Sequence, residues 1–102
     1  RPVMAQVATK WSDRVFLTSD NPRSEEPDDI IEEMRKGLDP IDARKCIAIA
    51  NRREAIRMAA QLTQSGDILL VAGKGHETYQ EIQGIRHEFD DRVELVNAFN
   101  PA

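Results

Sequence analysis

Three short apolar segments, residues 14–18, 45–49 and 68–72, punctuate this chain, and helical spacing fills the stretches between them. Strands that alternate with helices across short loops build α/β layers with a mainly parallel sheet, because a parallel pair needs a crossover connection. The third segment constrains the fold most. Ile68-Leu69-Leu70-Val71-Ala72 contains no polar residue, the pattern of a parallel strand buried on both faces. The expected class is therefore α/β, with a mainly parallel sheet, helices on both faces and an antiparallel hairpin or edge near the C-terminus.

Local signals place the other elements. Pro2 to Trp11 has Met4, Val7, Ala8 and Trp11 on one helical face, with proline in the first turn and Trp11 expected in the core. Asn21-Pro22 marks a turn in the loop from Ser19 to Glu26. Pro27 opens a second helix with Ile30, Ile31, Met34 and Leu38 inward, closed near Gly37 and Asp39-Pro40. Asn51 with Glu54 resembles a capping box and starts a helix whose Ile56, Ala59, Ala60 and Thr63 share a face, ended by Ser65-Gly66. Residues 79–82 and 85–89 read as a hairpin across Gln83-Gly84. Asp90 caps a last helix, which packs inward through Val93, Val96 and Phe99 or through Leu95 and Phe99.

Composition narrows the classes. A chain of 102 residues has room for one domain, and 40% hydrophobic with 31% charged residues is a globular balance. The net charge is -4, shared evenly between the two halves. With no basic stripe, a nucleic-acid partner is not expected. No apolar run reaches the ~18 residues of a membrane helix, so a membrane partner is not expected either. Cys46 is the one cysteine; it fits a small core residue in a reducing cytoplasm and excludes an internal disulfide. The start at Arg1-Pro2, with no initiator methionine, fits a piece of a longer polypeptide. The acidic run from Glu25 to Glu33 lies at a helix start, where negative charge is favourable, and a solvated face explains it.

Ligands of open parallel sheets bind at the carboxyl ends of the strands, so the loops after residues 14–18 and 68–72 are the candidates. The first holds Asp20-Asn21-Pro22-Arg23 and the second Gly73-Lys74-Gly75-His76-Glu77. Arg23 offers a planar fork for a carboxylate or phosphate, and Asn21 adds an amide donor. Pro22 restricts the loop and so aims Arg23 at a lower entropy cost. Asp20 and Glu77 are acceptors for an ammonium group, and Gly73 and Gly75 permit close backbone approach. Opposite charges of this kind describe a site for an amino-acid zwitterion. Asp-Asn-Pro-Arg alone equally fits a plain turn with an exposed arginine. Gly73-Lys74-Gly75 lacks the spacing and the hydroxyl of a phosphate loop. His76 and His87, beside Glu77 and Glu88, lack a recognised metal-ligand spacing, and no metal site is expected.

The two loops, with Tyr79-Gln80 and Asp90-Asp91-Arg92-Val93, resemble the C-terminal domain of the Mur ligase family over essentially the whole chain. Within that family, Asp-Asn-Pro-Arg resembles the form found where meso-diaminopimelate is the added amino acid. The resemblance implies a Rossmann-like domain, N-terminally truncated and spanning residues 1–102. It implies a full-length ATP-dependent amide ligase of peptidoglycan synthesis, working in the cytoplasm. ATP, with Mg2+, would convert the D-glutamyl γ-carboxylate of UDP-MurNAc-L-Ala-D-Glu to an acyl phosphate, which an amine of diaminopimelate attacks. Asp20, Asn21, Pro22, Arg23, Gly73 and Glu77 would bind the diaminopimelate. Arg23 and Asn21 would take its distal carboxylate, and Asp20, Glu77 and the Gly73 carbonyl its distal ammonium.

The same resemblance places the phosphate loop, the magnesium ligands and the UDP-binding part in central and N-terminal domains, which would be this domain's partners. No catalytic residue and no bound cofactor are then expected within these 102 residues. The chain alone is expected to be inactive and to bind diaminopimelate weakly. Two alternatives stay open. One is a related ligase with L-lysine or glutamate as acceptor, which Arg23 argues against because lysine lacks the distal carboxylate. The other is a free-standing α/β binding module.

Overall fold

The computed structural model describes residues 2–19, 26–73 and 77–100. Helix α1 (Pro2–Trp11) leads into strand β1 (Val15–Leu17), followed by α2 (Pro27–Lys36), α3 (Pro40–Ala43) and strand β2 (Cys46–Ala48). Helix α4 (Arg52–Leu62), the hairpin of β3 (Tyr79–Ile82) and β4 (Ile85–Glu88), and α5 (Asp91–Phe99) complete the chain. Strands β1 and β2 are parallel, with Val15 beside Cys46 and Leu17 beside Ala48. The α2–α3 crossover between them is the expected connection for a parallel pair. Strands β3 and β4 are antiparallel, and Gln83 (φ 50°) and Gly84 (φ 78°) supply the two left-handed positions of their turn.

Ala5, Leu17 and Ile31 form the core, with Val15, Met34, Leu38, Cys46 and Ala50 packed around them. Helix α1 packs on α2, α3 and β1, while α4 packs on β1 and α5. Each helix of the second half has a side-chain cap. The Asn51 carboxamide oxygen accepts from the Glu54 backbone N–H at 3.0 Å, and the Asp90 carboxylate accepts from Arg92 N–H at 2.9 Å. Residues 39–40 close α2 but also begin something. Asp39 caps the four-residue α3 by accepting from Asp42 N–H at 2.8 Å, and Pro40 takes its first position.

Three expectations are corrected. Residues 68–72 form no strand, and Ile68 and Leu70 are 95% and 82% exposed. An apolar run becomes a strand only beside a neighbour that pairs its backbone. None of the described strands pairs with it, so the sheets observed are two pairs. In α1 the buried face is Ala5 and Thr9 rather than the Val7–Trp11 stripe, and Trp11 is 78% exposed. The smaller side chains let α1 approach α2 and β1 closely, and the buried Thr9 hydroxyl is satisfied by the carbonyls of Ala5 and Gln6. In α5, Val93, Val96 and Phe99 are exposed. Leu95 and Ala98 are half-buried, because the helix is turned to bring Asp91 and Glu94 onto α4.

Cys46 sits half-buried against the core, its Sγ 3.6 Å from the Asp42 carbonyl. Burial pushes its thiol above the usual range, Arg35 and Lys45 pull it down in part, and Asp42 adds to the rise. The thiolate, the reactive form, is therefore scarcer than in a free cysteine. Alkylation of Cys46 by iodoacetamide at pH 8 is expected to run slower than that of a free cysteine peptide, and to approach it only after denaturation. Equal rates in the folded chain would show that Cys46 is not shielded.

Candidate functional site

The candidate site starts where β1 ends. The Ala50 carbonyl accepts from Ser19 Oγ (2.7 Å), Thr18 Oγ1 (3.3 Å) and Ser19 N–H (3.4 Å), so both residues after β1 are tied to the end of β2. Ser19 is buried, and Gln80 of β3, also buried, reaches its hydroxyl at 3.5 Å. The strand that carries the first loop and the strand that follows the second therefore meet at Ser19.

Arg52, the first residue of α4, joins these parts. Its side chain is only 3% exposed, and it forms a side-on pair with Asp91, from Nε at 2.8 Å and Nη2 at 2.6 Å. The same guanidinium donates from Nη1 to the Ser19 carbonyl at 3.2 Å and from Nη2 to the Ala72 carbonyl at 3.1 Å. Four of the five N–H donors of arginine are used by these bonds. Ser19 and Ala72 are the residues immediately before the two loops, so their roots converge on one buried cation.

Of the expected site residues, Asp20, Asn21, Pro22 and Arg23 lie outside the described residues, as do Lys74, Gly75 and His76. Gly73 and Glu77 are described. Gly73 has φ 113°, a backbone conformation that favours glycine. The Glu77 carboxylate accepts from the Tyr79 hydroxyl at 3.2 Å, and the Arg86 guanidinium lies 4.3 Å from the centre of the Tyr79 ring. The hairpin thus holds Glu77 from the side. A hollow of about 210 Å3 lies nearby between Asn51 and Phe89, but neither Gly73 nor Glu77 lines it.

A model of the "Mur ligase, glutamate ligase domain" matches residues 1–75. The chain belongs to the Mur ligase family. Curated relatives agree along its length. It is 58% identical over 100 residues to the UDP-N-acetylmuramoyl-L-alanyl-D-glutamate–2,6-diaminopimelate ligase of Bacteroides thetaiotaomicron, covering 98% of this chain and 21% of that protein. It is 60% identical over 99 residues to the ligase of the same name from Phocaeicola vulgatus, covering 97% of this chain and 20% of the relative. A solved structure bearing that ligase name superposes with a TM-score of 0.90 at 49% identity, over 98% of this chain and 20% of the other. The α/β class expected from the alternating segments is thus that of a Mur ligase domain, although the chain spans about a fifth of the length of these relatives.

Among the described residues no group of three or more His, Cys, Asp or Glu side chains could hold a metal ion. No described helix is long and apolar enough to cross a membrane.

Residue-type patterns missed Arg52 and Asp91. One signal was present: Arg52 occupies the first position of the apolar stripe that continues through Ala55, Ile56, Ala59 and Ala60, all buried. A cation on a buried stripe needs an internal counter-charge. The adjacent pair Arg53–Glu94 also links α4 to α5 at 2.9 Å, but the Arg53 side chain is 46% exposed. Arg52→Met is expected to destabilise the chain by about 3–5 kcal/mol, because it strands a buried carboxylate. Arg53→Met is expected to cost less than about 1 kcal/mol, as exposed pairs do. Urea unfolding followed by circular dichroism measures both, and equal losses would contradict the burial argument.

Proposed function

We propose that this chain is the acceptor-binding domain of an ATP-dependent ligase that adds meso-diaminopimelate to UDP-MurNAc-L-Ala-D-Glu in peptidoglycan synthesis. The observation that carries the proposal is the meeting of two loop roots at Arg52, in a Mur ligase domain whose relatives are named for 2,6-diaminopimelate. These loops hold the residues a zwitterion requires. In the proposed site Arg23 and Asn21 bind the distal carboxylate of diaminopimelate, and Pro22 fixes the loop that aims them. Asp20, Glu77 and the Gly73 carbonyl bind the distal ammonium. The amine at the other end of the molecule is left to attack the activated γ-carboxylate of the UDP-linked substrate.

The glycine loop lacks phosphate-loop spacing. Following the family resemblance, ATP and Mg2+ are assigned in this proposal to the central domain of a longer protein, and the UDP group to its N-terminal domain. We assign the reaction to the cytoplasm, where its soluble nucleotide substrates are found. The 102 residues select the acceptor and do not perform the transfer by themselves.

Arg23 gives the sharpest test. A charge-assisted hydrogen-bond pair contributes roughly 1.5–3 kcal/mol per bond, so Arg23→Ala in the full-length ligase is expected to raise the KM for diaminopimelate by ~10- to 100-fold. The KM for ATP is expected to stay within about twofold, since uniform effects on a distant site are not involved. Steady-state kinetics with each substrate varied in turn decide it. An unchanged KM for diaminopimelate would remove Arg23 from the site.

A further inference from the structure

We infer that Arg52, together with Asp91, is a positioning residue for acceptor specificity: it sets the spacing and the exit direction of the two substrate-binding loops. The inference rests on the acceptor-binding proposal and names a residue pair outside the loops themselves. The described partners of Arg52 are Asp91, Ser19 and Ala72, none of them proposed to touch diaminopimelate. Arg52 acts one residue earlier in each case, on the Ser19 and Ala72 carbonyls, at 3.2 and 3.1 Å.

Each of those carbonyls belongs to the peptide unit that leads into a loop. A peptide unit is planar, so holding its carbonyl oxygen fixes the direction in which the chain leaves. One guanidinium is itself rigid and planar. Bonding both carbonyls to it therefore fixes the two exits relative to each other, as well as to the scaffold. The remaining contacts hold the guanidinium in turn. Asp91 grips it side-on from the first turn of α5, and burial keeps water from competing for its donors. A second tie supports the first root from the opposite side, where Ser19 Oγ donates to the Ala50 carbonyl at 2.7 Å.

The consequence concerns a two-ended ligand. In the proposed site both carboxylate-binding groups, Arg23 and Asn21, and one ammonium-binding group, Asp20, belong to the loop after Ser19, while the other ammonium-binding groups belong to the stretch from Gly73 to Glu77. A zwitterion satisfies both only if the loops stand at one separation. A lysine in place of Arg52 keeps the charge and most of the stem but has a point-like head that cannot span Asp91 and both carbonyls. The loops would then lose their common reference while α4 and α5 remained paired through Arg53 and Glu94.

The experiment uses the full-length ligase with meso-diaminopimelate as the varied substrate, in the variants Arg52→Lys, Asp91→Asn, Arg53→Met and Arg23→Ala. Misplacement of a binding group by about 1 Å costs up to ~100-fold, so Arg52→Lys is expected to raise the KM for diaminopimelate at least about tenfold while the KM for ATP moves by less than about twofold. Asp91→Asn, which keeps Arg52 but removes the charge that holds its guanidinium against the two carbonyls, is expected to give a smaller shift in the same direction. Arg53→Met removes the exposed pair with Glu94 and the contact over the Phe89 ring but none of the bonds to the loop roots, and is expected to leave both KM values unchanged. Hydrogen exchange is expected to rise together at residues 15–19 and 70–73 in Arg52→Lys and not in Arg53→Met, which holds whether or not the substrate assignment is right.

If Arg52→Lys lowers Tm but leaves the KM for diaminopimelate and the exchange at both roots unchanged, the residue is structural only and the inference is overturned. If Arg52→Lys does not fold, Asp91→Asn decides by the same two readouts. Should Arg23→Ala leave diaminopimelate kinetics unaltered while the exchange at both roots still rises, the acceptor proposal fails and the specificity role falls with it. A shift with Arg23→Ala and none with Arg52→Lys overturns only the positioning role.

Discussion

A single buried guanidinium organises the half of this domain that faces the proposed substrate. Arg52 stands at the first turn of α4, where the helix dipole disfavours a cation, and Asp91 stands at the first turn of α5, where it favours an anion. Pairing them joins the starts of two helices and offsets the misplaced positive charge. The carbonyls of Ser19 and Ala72 take further donors of the same group. Replacing a buried ion pair by well-packed apolar residues is often neutral for stability. What such a replacement cannot reproduce is a fixed direction at four points, and direction is what a binding loop needs from its scaffold.

Much of the fold was legible because its causes are local. Asn51 caps α4 three residues before Glu54, and Gln83-Gly84 turns the hairpin, each through chemistry confined to a few residues. The parallel sense of the sheet followed from β-rich segments separated by helical stretches, and residues 15–17 pair with 46–48 in that sense. Illegible features depend on what lies across space. Residues 68–72 have the composition of a buried strand, yet composition does not supply a pairing neighbour, and Ile68 is exposed. Trp11 shares helical spacing with Val7, but Ala5 and Thr9 occupy the adjoining stripe and allow the closer approach. Asp39-Pro40 both ends one helix and starts another, and only the cap to Asp42 distinguishes the two roles.

The site divides in the same way. Gly73 and Glu77 are proposed from residue type and resemblance, and the structure adds the left-handed backbone of the first and the tyrosine that holds the second. Asp20, Asn21, Pro22 and Arg23 rest on the resemblance and on their chemistry, as proposed ligands of a zwitterion. Arg52 was hidden because arginine near a helix start is ordinary in sequence. Its meaning appears only when Ser19, Ala72 and Asp91, residues far apart along the chain, are seen to share it. In the proposed ligase, selectivity for an acceptor with a distal carboxylate then has two sources: the charge of Arg23, and the scaffold that sets where that charge stands relative to Glu77.

The most direct test of this account is a crystal structure of the full-length ligase with meso-diaminopimelate bound. The account predicts the distal carboxylate on Arg23 and Asn21, the distal ammonium near Glu77 and the Gly73 carbonyl, and the bonds from Arg52 to Ser19 and Ala72 intact beneath them. Diaminopimelate bound away from these two loops, or bound there with Arg52 turned off both carbonyls, would contradict it.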